Sequence, residues 1–148
     1  MIKIEHSVVI NRDLEDVFKF LITPENNPIW QSGITKSRKT SDGPIRVGST
    51  TQDTRKYMGK EFETTYRITE YETNARLGFK SLSGPIQFEG NYGFEMVGDG
   101  TRFTFTIQGE TGKLSSFIGL LAVRMARKQV EADSANLKNV LERKSIQH

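Results

Sequence analysis

LSSFIGLLAVRMARKQVEADSANLKNVL, Leu114–Leu141, runs for about 28 residues with no proline and one glycine, Gly119. The spacing predicts a final helix about 42 Å long at the α-helical rise of 1.5 Å per residue. Its first half, with Leu114, Phe117, Ile118, Leu120, Leu121, Ala122, Val123, Met125 and Ala126, is apolar almost all round. Its second half narrows to a stripe that includes Val130, Leu137 and Leu141. A helix that is apolar on every side is expected to be buried on more than one side. One side can rest on a sheet. The other must face a pocket, a partner or a membrane.

The chain before this helix supplies the sheet. Ile2, Ile4, His6, Val8 and Ile10 alternate with polar residues, which predicts a first strand with its even positions inward. Asn11 or Asp13 then caps a short helix carrying Leu14, Val17, Phe18 and Leu21 at helical spacing. Pro24 opens a second short helix or turn that ends at Trp30. Strands are expected at 34–40, 48–57, 60–73, 75–83, 86–97 and 101–111. Breaks fall at Met58-Gly59-Lys60, Thr73-Asn74, Ser83-Gly84-Pro85 and Gly98-Asp99-Gly100. The order β-α-α-β-β-β-β-β-β-α describes an α+β domain whose meander curls around whatever lies on its concave face.

Composition narrows the function classes. A length of 148 residues suggests one domain, 1–148. Hydrophobic content is 35% and mean hydropathy is −0.51, so apolar residues must serve one core economically. The absence of cysteine excludes disulfides, thiolate metal sites and cysteine nucleophiles. Met1–His6 lacks the apolar run of a signal peptide, and no segment approaches the roughly 20 apolar residues of a membrane span. A cytoplasmic protein with no stable membrane insertion is expected. A net charge of +3, from 21 basic and 18 acidic residues, is too balanced to argue for a nucleic-acid partner.

Three segments resemble a known family. They are Ser7–Leu21, where strand 1 runs into helix 1; Pro24–Trp30 with Val47-Gly48-Ser49 downstream; and Leu137–Glu142. In order and spacing the chain is similar to the SRPBCC superfamily, also called START-like or Bet v 1-like, within its polyketide cyclase/dehydrase and lipid-transport group. The resemblance implies a helix-grip fold, a curved seven-stranded antiparallel sheet around a long C-terminal helix with a cavity between. It also implies a lipid, polyketide, sterol or hormone as ligand, and in some members cyclisation or dehydration. Fold alone does not fix function.

Period two along the strands predicts the inward faces. They are Phe62, Thr64, Tyr66 and Ile68; Leu77 and Phe79; Ile86, Phe88, Tyr92, Phe94 and Met96; and Phe103, Phe105 and Ile107. With Leu114, Phe117, Leu121 and Met125 from the helix, they are expected to line either a plain core or a ligand pocket. Trp30 reads as a wedge closing one end of the core or as a ligand-stacking ring. Polar candidates on the same faces are Thr64, Tyr66, Tyr92 and His6. His6, Tyr66 and Tyr92 are candidate acids or bases, but His6 has no evident carboxylate partner. Tyrosines titrate near pH 10 unless a cation such as an inward Arg55 or Arg38 lies beside them. Asp53, Glu61, Glu63 and Glu70 lie on strands, and most of them read as a solvated sheet face. No metal or cofactor motif occurs. Arg124, Arg127 and Lys128 read as a solvated helix face, with a cationic ring at a pocket mouth as the alternative.

These residues favour a binding module for a small hydrophobic or amphipathic molecule. A cyclase or dehydratase is the second reading. A chaperone-ATPase activator is the third, and it is weakened because Lys113-Leu-Ser-Ser-Phe117 stands where that branch carries a Gly-Trp step. Phe117, Ile118, Leu120 and Leu121 would serve a homodimer as readily as a lid.

Overall fold

The computed structural model describes residues 2–84, 87–109 and 117–144. Its elements are β1 (Ile2–Ile10), α1 (Leu14–Leu21), a 3-10 turn (Pro24–Asn26), α2 (Asn27–Trp30), β2 (Ile34–Lys39), β3 (Thr50–Tyr57), β4 (Lys60–Glu72), β5 (Arg76–Ser81), β6 (Phe88–Val97), β7 (Gly100–Gly109) and α3 (Phe117–Lys144). The strands form one seven-stranded antiparallel sheet in the order β1-β7-β6-β5-β4-β3-β2. Each strand from β2 to β7 pairs with its sequence neighbour. The first strand closes beside the last, so the long helix can lie across the curved face. This is the expected α+β helix-grip fold.

Local chemistry sets the elements. Asp13 caps α1 by accepting from the Asp16 amide at 3.2 Å. The α1 face formed by Val17, Phe18 and Leu21 is buried, as its spacing predicts. Two bulges bend the sheet. The β4–β5 register slips between Ile68 and Glu70, and the β2–β3 register slips between Ile34 and Lys36. The second slip has a chemical consequence. It turns Ser37 inward opposite Asp53 and keeps Lys36 and Arg38 in solvent.

The core runs from Phe18 through Phe94 and Phe103 to Trp30, roofed by Val130, Leu137 and Leu141 of α3. The second half of α3 is strapped to the chain around β1. The Lys138 ammonium donates to the Val9 carbonyl at 2.7 Å, Arg12 donates to the Leu141 carbonyl at 3.1 Å, and Glu142 accepts from the Asn11 amide at 2.8 Å. The first half differs from the expectation of burial on more than one side. Leu120, Leu121 and Met125 are exposed. There α3 projects over a cavity, and of residues 120–129 Val123 alone is partly buried. Met96, expected inward, is also exposed, because it lies at the end of β6 beside the tight turn to β7. Leu114 and Ile86 fall outside the described residues, as do Lys113-Leu-Ser-Ser116 and the side chains of Phe117 and Ile118.

Candidate functional site

Between α3, α2 and the concave face of the sheet lies a cavity of about 410 Å³. Its apolar walls come from Ile4 and Ile107 at one side, Ile68, Leu77, Phe79, Phe88 and Phe105 beneath, and Ala122, Val123, Ala126 and Val130 above. The two alanines keep this space open, since larger side chains at these helix positions would fill it. A close approach below also shapes the wall. Phe79 pairs with Gly90, and a Cβ at Gly90 would come within 2.3 Å of the Phe79 ring. Only glycine there lets that ring lie across β6. Edge-on contacts then link Phe79 to Tyr66 at 5.7 Å and to Tyr92 at 5.2 Å between ring centroids.

The opposite end of the cavity is polar. Asn27 and Gln31 reach it from α2 and its C-cap, Thr51, Asp53 and Arg55 from β3, Thr64 and Tyr66 from β4, Tyr92 from β6, and Gln129 and Asp133 from α3. Asp53 is only 5% exposed; its Oδ1 accepts from the Ser37 hydroxyl at 2.6 Å, and Asn27 Nδ2 donates to that hydroxyl at 3.2 Å. Burial raises the Asp53 pKa above the ordinary carboxylate value, against the opposing pull of Ser37, Arg55 and Asn27. Arg55 donates to Gln31 Oε1 at 3.4 Å, and its guanidinium lies near the Tyr66 hydroxyl. Gln31 Nε2 in turn donates to the Tyr92 hydroxyl at 3.4 Å. Both phenols are pushed up by burial despite the guanidinium, so they stay protonated hydrogen-bond donors. Asp133 accepts from Gln129 at 2.8 Å and from the Ser32 amide at 3.3 Å, and burial raises its pKa too.

The buried acid has a consequence for stability. The folded-state pKa of Asp53 lies above its unfolded value near 3.8, so its contribution is full below that value and is lost as pH rises through the folded pKa. Asparagine does not titrate. The difference in unfolding free energy between Asp53→Asn and the unsubstituted protein should therefore move in favour of the variant between about pH 4 and about pH 7. Urea denaturation at both ends of that range checks it, and the opposite trend would mean that Arg55 and Ser37 outweigh burial.

Of the described residues expected to line a ligand site, Thr64, Tyr66, Ile68, Leu77, Phe79, Phe88, Tyr92, Phe105 and Ile107 are on the cavity wall, and Trp30, Phe62, Phe94, Met96, Phe103, Leu121 and Met125 are not. Trp30 is fully buried, wedged edge-on against Tyr92, Phe103 and Phe105. Phe103 is sealed beneath it. Phe62 stands opposite Arg55 near the β3–β4 hairpin, beyond the wall. Leu121 and Met125, 49% and 52% exposed, are rotated away because α3 presents Ala122, Ala126, Gln129 and Asp133 inward at helical spacing. His6 is half-buried and off the wall. Of the two arginines considered, Arg55 turns inward, whereas Arg38 is exposed and donates to Gln52 at 3.0 Å.

Asp53 corrects the reading of a solvated acidic face. Strand β3 reads Thr-Thr-Gln-Asp-Thr-Arg-Lys from Thr50 to Lys56, polar at every position, so no apolar alternation marks its inner face. Asp133 left a signal: it sits among Val130, Leu137 and Leu141 on the one buried stripe of α3. Among the described residues, no group of three or more His, Asp or Glu could hold a metal ion, and no helix is long and apolar enough to cross a membrane.

The family model described as polyketide cyclase / dehydrase and lipid transport matches residues 1–142. No curated protein sequence matches the chain significantly. Among solved structures, the chain is similar to TTHA0849 from Thermus thermophilus, at 19% identity and a TM-score of 0.77, over 93% of this chain and 95% of that one. It is similar to the major latex-like protein 151 of Panax ginseng, at 13% identity and a TM-score of 0.72, over 94% and 96%. It also matches the di-domain ARO/CYC protein BexL of the BE-7585A biosynthetic pathway, at 18% identity and a TM-score of 0.75, over 94% of this chain and 46% of that one. At such identities the likeness is one of fold.

Proposed function

Because the chain belongs to the polyketide cyclase/dehydrase and lipid transport family, we propose that it binds a small amphipathic molecule in the cavity beneath α3. The observation that carries this reading is the division of one cavity into an apolar chamber and a polar end. Ligand sites have this form, with a few placed polar groups in an apolar wall. The ligand's apolar body would lie against Phe79, Phe88, Phe105 and Val130, and its polar end would meet Tyr66, Tyr92 and Gln31.

Nile red, an uncharged fluorescent probe, tests the reading. It should bind the purified protein, and Ala126→Phe, which fills the chamber from above, should weaken binding by about tenfold or more. The same change at the outward Leu121 should not. The helix itself should tolerate phenylalanine at a cost of about 0.5 kcal/mol, so circular dichroism should be unchanged. Probe binding that ignores Ala126→Phe would place the site elsewhere.

A cyclase or dehydratase is the second reading, favoured by the Arg55 guanidinium, which turns into the cavity beside Tyr66. Under it, Asp53 rather than either tyrosine would move the proton. Burial shifts the carboxyl toward neutrality and shifts both phenols away from it. Turnover of an added poly-β-keto thioester that is lost in Asp53→Asn would support an enzyme. Turnover lost in Tyr66→Phe alone would give the proton transfer to the phenol.

A further inference from the structure

We propose that the polar end of the cavity selects an uncharged oxygen, a hydroxyl or carbonyl, and discriminates against a ligand carboxylate. The inference rests on the cavity being the ligand site, and it follows from the groups gathered there. One guanidinium, Arg55, faces two carboxyl groups, Asp53 on its own strand and Asp133 across the cavity on α3. Each acid is only 5% exposed. Both line the same cavity as Arg55, so its one positive charge is set against two carboxyl groups of the protein. A ligand carboxylate would add a third carboxyl group to an end that holds one guanidinium. It would have to be accepted against like charge, or with proton uptake by Asp53 or Asp133.

The hydrogen-bonding pattern points the same way. The Tyr92 hydroxyl accepts from Gln31 at 3.4 Å, and the Arg55 guanidinium lies near the Tyr66 hydroxyl. Each phenol keeps a proton of its own to donate, and a hydroxyl has one. Two phenol donors at the end of an apolar chamber suit a carbonyl oxygen or a hydroxyl. Thr51 and Thr64 on the same wall can donate or accept, which completes the partners a hydroxyl needs.

The test uses two probes with the same tail, decanol and decanoate, each displacing Nile red at about pH 8. Any apolar cavity prefers the alcohol to some extent, so the informative quantity is how the ratio of the two displacing concentrations responds to substitution. In Asp53→Asn the ratio should fall by about tenfold, the effect of roughly one pKa unit of like-charge repulsion. Asp133→Asn should lower it in the same direction and serves if Asp53→Asn folds poorly. A ratio unchanged in both folded variants would overturn the proposal and leave the cavity reading standing. So would decanoate displacing better than decanol from the unsubstituted protein. If neither compound displaces bound Nile red, the cavity reading falls and the proposal with it.

Discussion

Trp30→Ala should lower the unfolding free energy by about 3–5 kcal/mol, the range for deleting a buried aromatic side chain. The indole is fully buried and meets Tyr92, Phe103 and Phe105 at ring-centroid distances of 6.0, 6.0 and 5.9 Å. Its edge-on contacts are worth about 0.5–1.5 kcal/mol each beyond area burial. The larger loss is the hole left between α2, α3 and the sheet. Collapse of that hole is hindered from above, because Asn136 of α3 donates to the Trp30 carbonyl at 3.1 Å and to the Ile29 carbonyl at 3.2 Å. Urea denaturation with an unchanged slope measures the loss. Tyr92 borders both the indole and the cavity, so Nile red affinity should change as well. A loss of under about 1 kcal/mol would mean that the ring sits in a loose site, and would return Trp30 to the role of a ligand-stacking group.

What the sequence discloses depends on whether polarity is a faithful sign of direction. In β1, Ile4 and Ile10 are buried while Lys3, Glu5 and Ser7 are exposed, and the inner face can be read directly. In α1 and in the second half of α3, the apolar stripe is buried, with Asp133 and Ser134 carried in beside it on α3. Strand β3 carries no such sign, and it contributes Thr51, Asp53 and Arg55 to the polar end of the cavity. A site built from polar side chains facing inward is hidden from a reading that equates polar with outward. The bulge in β2 is hidden for a related reason. Ile34-Thr-Lys-Ser-Arg gives no hint that the register slips between Ile34 and Lys36, yet the slip is what brings Ser37 to Asp53. The first half of α3 fails in the opposite way. It is apolar nearly all round, so its composition does not say which flank turns inward. The structure turns the small residues Ala122 and Ala126 to the cavity and leaves Leu121 and Met125 in solvent.

Leu137→Ala should cost about 2–5 kcal/mol, as large-to-small core changes do. Leu137 is fully buried, and Leu141 one turn later and Val130 two turns earlier lie on the same stripe. Polar straps surround the stripe but cannot replace it. The charge-assisted hydrogen bond from the Lys138 ammonium to the Val9 carbonyl contributes at most about 1.5–3 kcal/mol net, and less where solvent reaches it. The Lys138–Glu142 pair is a partly exposed i,i+4 ion pair worth about 0.3–0.5 kcal/mol. Lys138→Ala should therefore destabilise less than Leu137→Ala, and that ranking separates an apolar anchor from a polar one. The anchor also bears on binding. The described first half of α3 reaches over the cavity through Ala122, Val123 and Ala126, while the packing of its second half on β1 and α2 holds it in place. Loosening the anchor should thus weaken Nile red binding even though Leu137 lines no part of the cavity. An unmoved unfolding midpoint in Leu137→Ala would show that the stripe does not hold the helix. A midpoint that falls with probe affinity unchanged would show that the helix roof is not needed for binding, and that the sheet and α2 form the site by themselves.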